Sequence, residues 1–200
     1  MVRILCCDLG KIGPEGMETL LDQASPERKQ RAMRCLRREY ALEILAGEAL
    51  LRLALPGGVP ELCRTSGGKP VFRDREGLWF NLSHSSPYAA LALGDSPVGI
   101  DVEGPKPNRD LPRLMGRCFC AEEQAYAAPQ GQVLPDRFYQ VWTAKESWLK
   151  YLGTGITGDM REWNVFAPGL PDFRRYPLPG GFWLTVCTRE RVGEPEWVTL

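Results

Sequence analysis

Two acids, Asp101 and Glu103, stand two residues apart in Val98-Gly99-Ile100-Asp101-Val102-Glu103. On a strand, side chains two apart share a face, and paired hard oxygens suit Mg²⁺. The same spacing also fits a half-exposed edge strand whose acids face water. Further on, Trp142-Thr143-Ala144-Lys145-Glu146-Ser147-Trp148-Leu149-Lys150 puts Glu146 and Lys150 one helical turn apart. They read either as a solvated ion pair or as a third metal carboxylate beside a phosphate-neutralising lysine. The tryptophans read as core. In Phe80-Asn81-Leu82-Ser83-His84-Ser85-Ser86 an apolar run ends in hydroxyls and the one histidine of the chain. Such a strand end can hold phosphate oxygens, or it can satisfy its own turn. Arg28, Lys29, Arg31, Arg34, Arg37 and Arg38 form a basic cluster. It is either a solvated face or a contact for phosphate or nucleic acid.

These residues need elements to hold them. Val2–Cys7 reads as an opening strand. Ser25-Pro26 starts a long helix, which Pro56-Gly57-Gly58 ends. Its spacing predicts a buried stripe of Met33, Leu36, Tyr40, Ile44 and Leu51. Three strands follow, at 78–82, 88–93 and 98–103, with a proline-rich loop from Gly104 to Pro112. Helices are predicted over 114–118, 121–127 and 136–151. The last buries Phe138, Val141, Trp142, Leu149 and Leu152, and Gly153 stops it. From Trp163 onward only short strand-like runs occur, such as Phe182–Cys187.

The bulk numbers set limits. The chain has 200 residues, 44% hydrophobic and 25% charged, with zero formal net charge. That length fits one large domain or two small ones, and the charge balance points to neither a polyanion nor a membrane surface. No apolar run spans a bilayer, and the start of the chain lacks a signal-peptide pattern, so the cytoplasm is the expected location. Seven cysteines without a C-x-x-C pair fit neither a zinc site nor a disulfide framework. They are expected to be reduced and mostly buried.

In their order the motifs resemble one family. Gly68-Lys69-Pro70, Phe80–Ser85, Val98–Glu103, Phe119-Cys120-Ala121-Glu122-Glu123 and Trp142–Lys150 follow the series of the 4'-phosphopantetheinyl transferases, larger surfactin-synthetase-activating type. The resemblance runs from Ser25 to about Thr157. It implies an α+β fold of two similar halves, 1–97 and 98–200, related by pseudo-two-fold symmetry, with the active site in the cleft between them. It implies transfer of phosphopantetheine from coenzyme A to a serine of an apo-carrier protein, with release of 3',5'-ADP. Mg²⁺, replaceable by Mn²⁺, would be held by Asp101, Glu103 and Glu146. Glu146 would also be the base, with Asp101, Lys150 and His84 around the reacting phosphate. Ser83, His84 and Lys150 would hold the coenzyme A phosphates, with Arg28 and Arg31 on the phosphates from the first long helix. Gly68, Lys69 and Pro70 would form the turn against the adenine. Glu123 would help the metal site or orient the carrier.

Two residues depart from the family pattern. Cys120 stands where a serine usually caps the helix, which predicts a looser turn. Ile44 stands where the family often offers a polar contact to the 3'-phosphate. The carrier is expected on Arg109–Arg117, with Leu111, Leu114 and Met115 as contacts, unless those residues pack inward. A monomer is expected, with neither nucleic acid nor membrane as partner. Two rivals remain: a nucleic-acid module built on the basic helix, and a family member that binds coenzyme A without transfer. The sequence does not name the carrier.

Overall fold

The computed structural model describes residues 1–155 and 158–200. Thr157, the far limit of the motif resemblance, lies outside the described residues. In chain order the first elements are β1 (Arg3–Asp8), α1 (Pro14–Gln23), α2 (Pro26–Met33), α3 (Arg38–Ala54), β2 (Leu62–Arg64) and β3 (Pro70–Phe72). Then come β4 (Trp79–Ser85), β5 (Tyr88–Gly94), β6 (Val98–Glu103), α4 (Leu111–Cys118), α5 (Ala121–Ala127) and α6 (Pro135–Leu152). The chain closes with β7 (Asp172–Leu178), β8 (Phe182–Thr188) and β9 (Glu196–Trp197). Helix and strand are mixed, as an α+β fold requires.

One sheet has the order β4-β5-β1-β9 and another the order β6-β8-β7. Strand alternation divides β1 between two cores. Leu5 and Cys7 pack with Leu42, Leu45 and Ala46 of α3, whereas Ile4 and Cys6 pack with Ile100 and Val102 of β6 and Leu184 and Val186 of β8. A third core lies around α6, where Phe138, Tyr139, Val141 and Ala144 meet Phe119 and Val165. The second sheet is therefore covered on one side by the first sheet, and α6 packs on β6 and β8.

β4 and β6 are both edge strands, and side chains close the gap between them. Ile100 N–H donates to Asn81 Oδ1 at 2.8 Å, and Val102 N–H donates to Ser83 Oγ at 3.2 Å. Buried amides need partners, and here a neighbouring strand's side chains supply them. This explains why Asn81 and Ser83 are buried. They do not serve a turn, and the Asn-x-Ser-x-Ser spacing is a strand face.

Three expectations fail in the first half and one at each later end. The long helix is two helices, α2 and α3, broken between Met33 and Arg38, and α1 lies unforeseen before them. The break resets the helical phase, so Met33, Leu36 and Tyr40 are exposed. The buried face of α3 is Ala41, Leu42, Leu45, Ala46, Leu50 and Leu51. On α6, Phe138, Val141 and Leu149 are buried, but Leu152 is exposed at the helix end. β7 was not foreseen because Pro177 and its paired arginines hide the pattern; it is an edge strand, where proline is tolerated. The cysteines of the described chain are free, three of them buried: Cys6, Cys7 and Cys187. Burial pushes each of these three thiols up to about 12, so they stay protonated and inert.

Candidate active site

The face of β6 that carries Gly99, Asp101 and Glu103 turns toward α6. A Cβ on Gly99 would lie 1.9 Å from the Ser147 carbonyl oxygen, so only glycine lets the helix come this close. That approach brings Lys150 over the strand. Its Nζ lies 2.7 Å from Asp101 Oδ1 and 2.9 Å from Ser83 Oγ. Ser83 also donates to Asp101 Oδ1 at 2.9 Å. Three elements, β4, β6 and α6, thus meet in one small polar cluster. Asp101 and Glu103 share a face, as the spacing predicts, but they do not face open water. Lys150 pairs across to β6 and not with Glu146 on its own helix.

Glu103 is engaged on both oxygens. Ser85 Oγ donates to Oε1 at 2.5 Å, while Lys106 and Arg109 reach Oε2 at 3.0 and 3.1 Å. These contacts hold its carboxyl below the usual range in spite of its burial. Glu146 is the opposite case. Burial pushes its carboxyl up, the Asp101 charge adds to this, Lys150 opposes it, and Glu103 adds a little more. Neither Glu146 oxygen nor Asp101 Oδ2 has a hydrogen-bond partner among the described residues. A 440 Å³ cleft opens here, walled by Ser83, His84, Asp101, Glu103, Glu146 and Lys150.

His84 is on the other face of β4 from Ser83 and Ser85. Its Nδ1 lies 3.2 Å from Glu43 Oε2 on α3. Glu43 also accepts the Ser86 N–H at 3.0 Å on Oε1. Sequence reading did not single out Glu43 as a site residue. Its one signal was its place on the long helix next to Ile44.

The Gly67–Pro70 turn lies against the C-terminal end of α6. A Cβ on Gly67 would meet the Gly153 carbonyl oxygen at 2.1 Å. Gly68, Lys69 and Pro70 line a 270 Å³ pocket with Leu82, Glu146, Leu149 and Lys150. The Lys69 ammonium does not point to a substrate. It donates to the carbonyls of Val98 at 3.0 Å and Tyr151 at 3.4 Å, and burial pushes it down to about 8. Only its stem is left to line the pocket.

Arg28 and Arg31 line a third pocket, of 680 Å³, with Glu48, Arg52, Arg64 and Pro70. Arg28 donates to the Ile44 carbonyl at 3.3 Å. The three cavities form a series: the Arg28 pocket and the turn pocket share Pro70, and the turn pocket and the carboxylate cleft share Leu82, Glu146 and Lys150.

Glu123 is not in this series. It is fully buried, paired with Lys145 at 2.8 Å, and accepts the Val165 N–H and the Cys120 N–H, each at 2.9 Å. Lys145 also donates to the carbonyls of Met160 and Trp163. Glu123 and Lys145 therefore tie α5 to α6 and both to the segment 160–165 that follows α6. The Glu123 bond to the Cys120 amide holds the helix start that a poor cap at Cys120 was expected to loosen.

Known proteins resemble this chain in sequence. Residues 97–184 match the 4'-phosphopantetheinyl transferase superfamily. The chain is 33% identical over 145 residues to a putative 4'-phosphopantetheinyl transferase of Synechocystis, covering 68% of this chain and 56% of that protein. It therefore spans little more than half the length of that relative. The 4'-phosphopantetheinyl transferase Sfp of Bacillus subtilis is 26% identical over 196 residues, 88% of this chain and 87% of that protein. The 4'-phosphopantetheinyl transferase psf-1 of Bacillus pumilus is 33% identical over 170 residues, 75% of this chain and 72% of that protein. With that identity over that coverage, the chain belongs to the 4'-phosphopantetheinyl transferase superfamily.

Proposed function

We propose that this protein transfers the phosphopantetheine of coenzyme A to a serine of an apo-carrier protein. The observation that carries the reading is the series of three cavities that ends at Asp101, Glu146 and Lys150. A long substrate with phosphates at two points fits such a series. In this reading the Arg28 and Arg31 pocket takes the 3'-phosphate side, the Lys69 stem and Pro70 flank the adenine, and the diphosphate sits at Lys150. The cleft would lie between two similar halves, 1–97 and 98–200, and the enzyme would work as a cytoplasmic monomer.

The residues fit a divalent ion in part. Among the described residues no three His, Cys, Asp or Glu side chains already form a closed ligand set. The donor chemistry nonetheless suits Mg²⁺: Asp101 Oδ2 and Glu146 are free hard oxygens, and the mutual repulsion felt by Glu146 is what a cation relieves. Glu103 would complete the set by giving up Lys106 or Arg109. Bound there, Mg²⁺ or Mn²⁺ would supply charge stabilisation to the diphosphate.

The chain's own groups do the rest. Glu146, held up by burial, is suited to take the proton of the carrier serine. The serine oxygen bonds to the pantetheine-side phosphorus, the bond to the bridging oxygen breaks, and 3',5'-ADP leaves with the electron pair. Lys150 is placed to hold the growing charge with a fixed ammonium. The test is incubation with coenzyme A, Mg²⁺ and apo-carriers from fatty-acid, polyketide and peptide pathways, read by intact mass. Gain of one phosphopantetheine, blocked by EDTA and restored by Mg²⁺ or Mn²⁺, is expected. No gain on any carrier overturns the reading.

A further inference from the structure

We propose that Lys106 is shared between Glu103 and the acids of the carrier, so that a cation at the carboxylates and a carrier in the groove beside α4 strengthen each other's binding. The inference rests on the transferase reading above and goes beyond it in naming which contact of Glu103 yields and what draws it away. A carboxylate has about four lone-pair sites, and Glu103 accepts four hydrogen bonds. Ser85 Oγ and the Gly104 N–H donate to Oε1 at 2.5 and 3.1 Å, while Lys106 Nζ and Arg109 Nη2 donate to Oε2 at 3.0 and 3.1 Å. Glu103 can therefore ligate a cation only by shedding a donor.

The four donors are not equally free to leave. The Gly104 amide is the next backbone group of the chain, and Ser85 is buried on β4. The Arg109 side chain is only 19% exposed, and its guanidinium carbon lies 5.9 Å from the centre of the Trp142 ring. Its Nη1 is buried with no partner among the described residues, so the group already forgoes one hydrogen bond to stay where it is. Lys106 differs. Its side chain is 45% exposed, and its ammonium rides on a flexible four-carbon stem.

Lys106 also lines the 570 Å³ groove formed with Arg109, Asp110, Arg113, Leu114 and Arg117. It thus stands between that groove and the cleft that Glu103 walls. Released from Glu103, its ammonium would add to the three arginines of the groove. Asp110, the one acid there, is engaged at the start of α4, where Oδ1 accepts the Arg113 N–H at 3.0 Å. Glu43, which also feels the Lys106 charge, accepts the Ser86 N–H and faces His84. The best new partner for Lys106 is an acid brought from outside, as an acidic amphipathic helix would bring one. Whatever takes Glu103 then frees Lys106, and whatever takes Lys106 frees Glu103. Such coupling is reciprocal, so each ligand raises the affinity of the other by the same factor.

The experiment measures Mn²⁺ binding to the full chain without coenzyme A, from the electron paramagnetic resonance signal of the free ion. The chains are the native one, Lys106→Met, Glu103→Gln and the double variant. Lys106→Met keeps the stem and removes the charge, so the Kd for Mn²⁺ should fall by up to about fivefold, the worth of a part-exposed ion pair. A long-range field from Lys106 would give the same fall with or without Glu103. The shared contact predicts little or no fall when Lys106→Met is added to Glu103→Gln. A second arm adds the apo-carrier that accepts transfer, with its acceptor serine replaced by alanine. With the native chain, carrier and Mn²⁺ should tighten each other's binding by one common factor, and in Lys106→Met that factor should drop close to one. No Mn²⁺ binding to Lys106→Met, an equal effect in both backgrounds, no coupling in the native chain, or a coupling that survives Lys106→Met overturns the inference while transfer stands. Absence of transfer to every carrier overturns the proposed function and this inference with it.

Discussion

Lys150 Nζ lies 2.7 Å from Asp101 Oδ1, joining α6 to β6 at the point where the carboxylates gather. The pair is partly buried, with Ser83 Oγ as a third member. One ammonium thus fixes the Asp101 carboxylate and the Ser83 hydroxyl at the mouth of the cleft.

Lys150→Met keeps the stem and removes the charge. Loss of a single oriented donor typically costs about 10²–10³ in kcat. We expect a fall of at least a hundredfold in carrier modification, with a melting temperature within a few degrees of native. Steady-state kinetics beside a thermal melt would check this. Native kcat in Lys150→Met would remove Lys150 from the chemistry.

Glu146 yields a prediction with opposite effects on stability and activity. Its folded pKa is raised, first by burial and then by the Asp101 charge. A raised carboxyl favours the protonated fold, so that stability is present at low pH and is lost as pH rises through the folded pKa. In metal-free protein at pH 7 the ionised group is therefore a burden. Glu146→Gln should raise the melting temperature in EDTA while abolishing transfer. In the loaded enzyme a cation held by Glu146 would lower that pKa, so the raised value is to be sought in the metal-free protein and not in the pH profile of kcat. A destabilised Glu146→Gln in EDTA would contradict the electrostatics described here.

Lys145 and Glu123 make a fully buried ion pair. Removing one partner of such a pair typically costs about 3–5 kcal/mol, because the other charge is left buried and alone. Lys145→Met and Glu123→Gln should each lower urea midpoints strongly, and Lys145→Met with Glu123→Leu should recover part of the loss. Activity per folded molecule should change little. A stable Glu123→Gln enzyme with no transfer would return Glu123 to the active site.

How much of this was written in the sequence depends on the period involved. The i, i+2 placement of Asp101 and Glu103 follows from strand geometry alone, and β6 has it. The i, i+4 spacing of Glu146 and Lys150 was legible too, but not its use, because Lys150 reaches another strand. Asn81 and Ser83 stood open between a phosphate-holding strand end and a turn, because a side chain that caps a neighbouring strand's amides leaves no local signature. The Met33–Leu36–Tyr40 stripe failed because a break between two helices shifts the phase, and no proline or glycine marks that break. Lys69 and Glu123 were assigned from motifs. Their contacts, with Val98, Tyr151, Lys145 and Val165, are long-range, so no spacing rule reveals that both ends are already engaged.

The carrier prediction follows from α4. Leu111, Leu114 and Met115 are half-buried and pack against the third core, so changing them to acids would test folding before docking. Arg113 and Arg117 are exposed on the same helix. With Lys106, Arg109 and Leu114 they line a 570 Å³ groove, and Lys106 and Arg109 bond Glu103 at its inner end. A basic groove leading to the carboxylate cleft suits an acidic amphipathic helix that delivers a serine. Arg113→Glu with Arg117→Glu should leave the melt and the KM for coenzyme A near native and raise the carrier KM more than tenfold. The native carrier KM should rise with salt, and the variant's should not. An unchanged carrier KM in the double variant would place the carrier elsewhere on the surface.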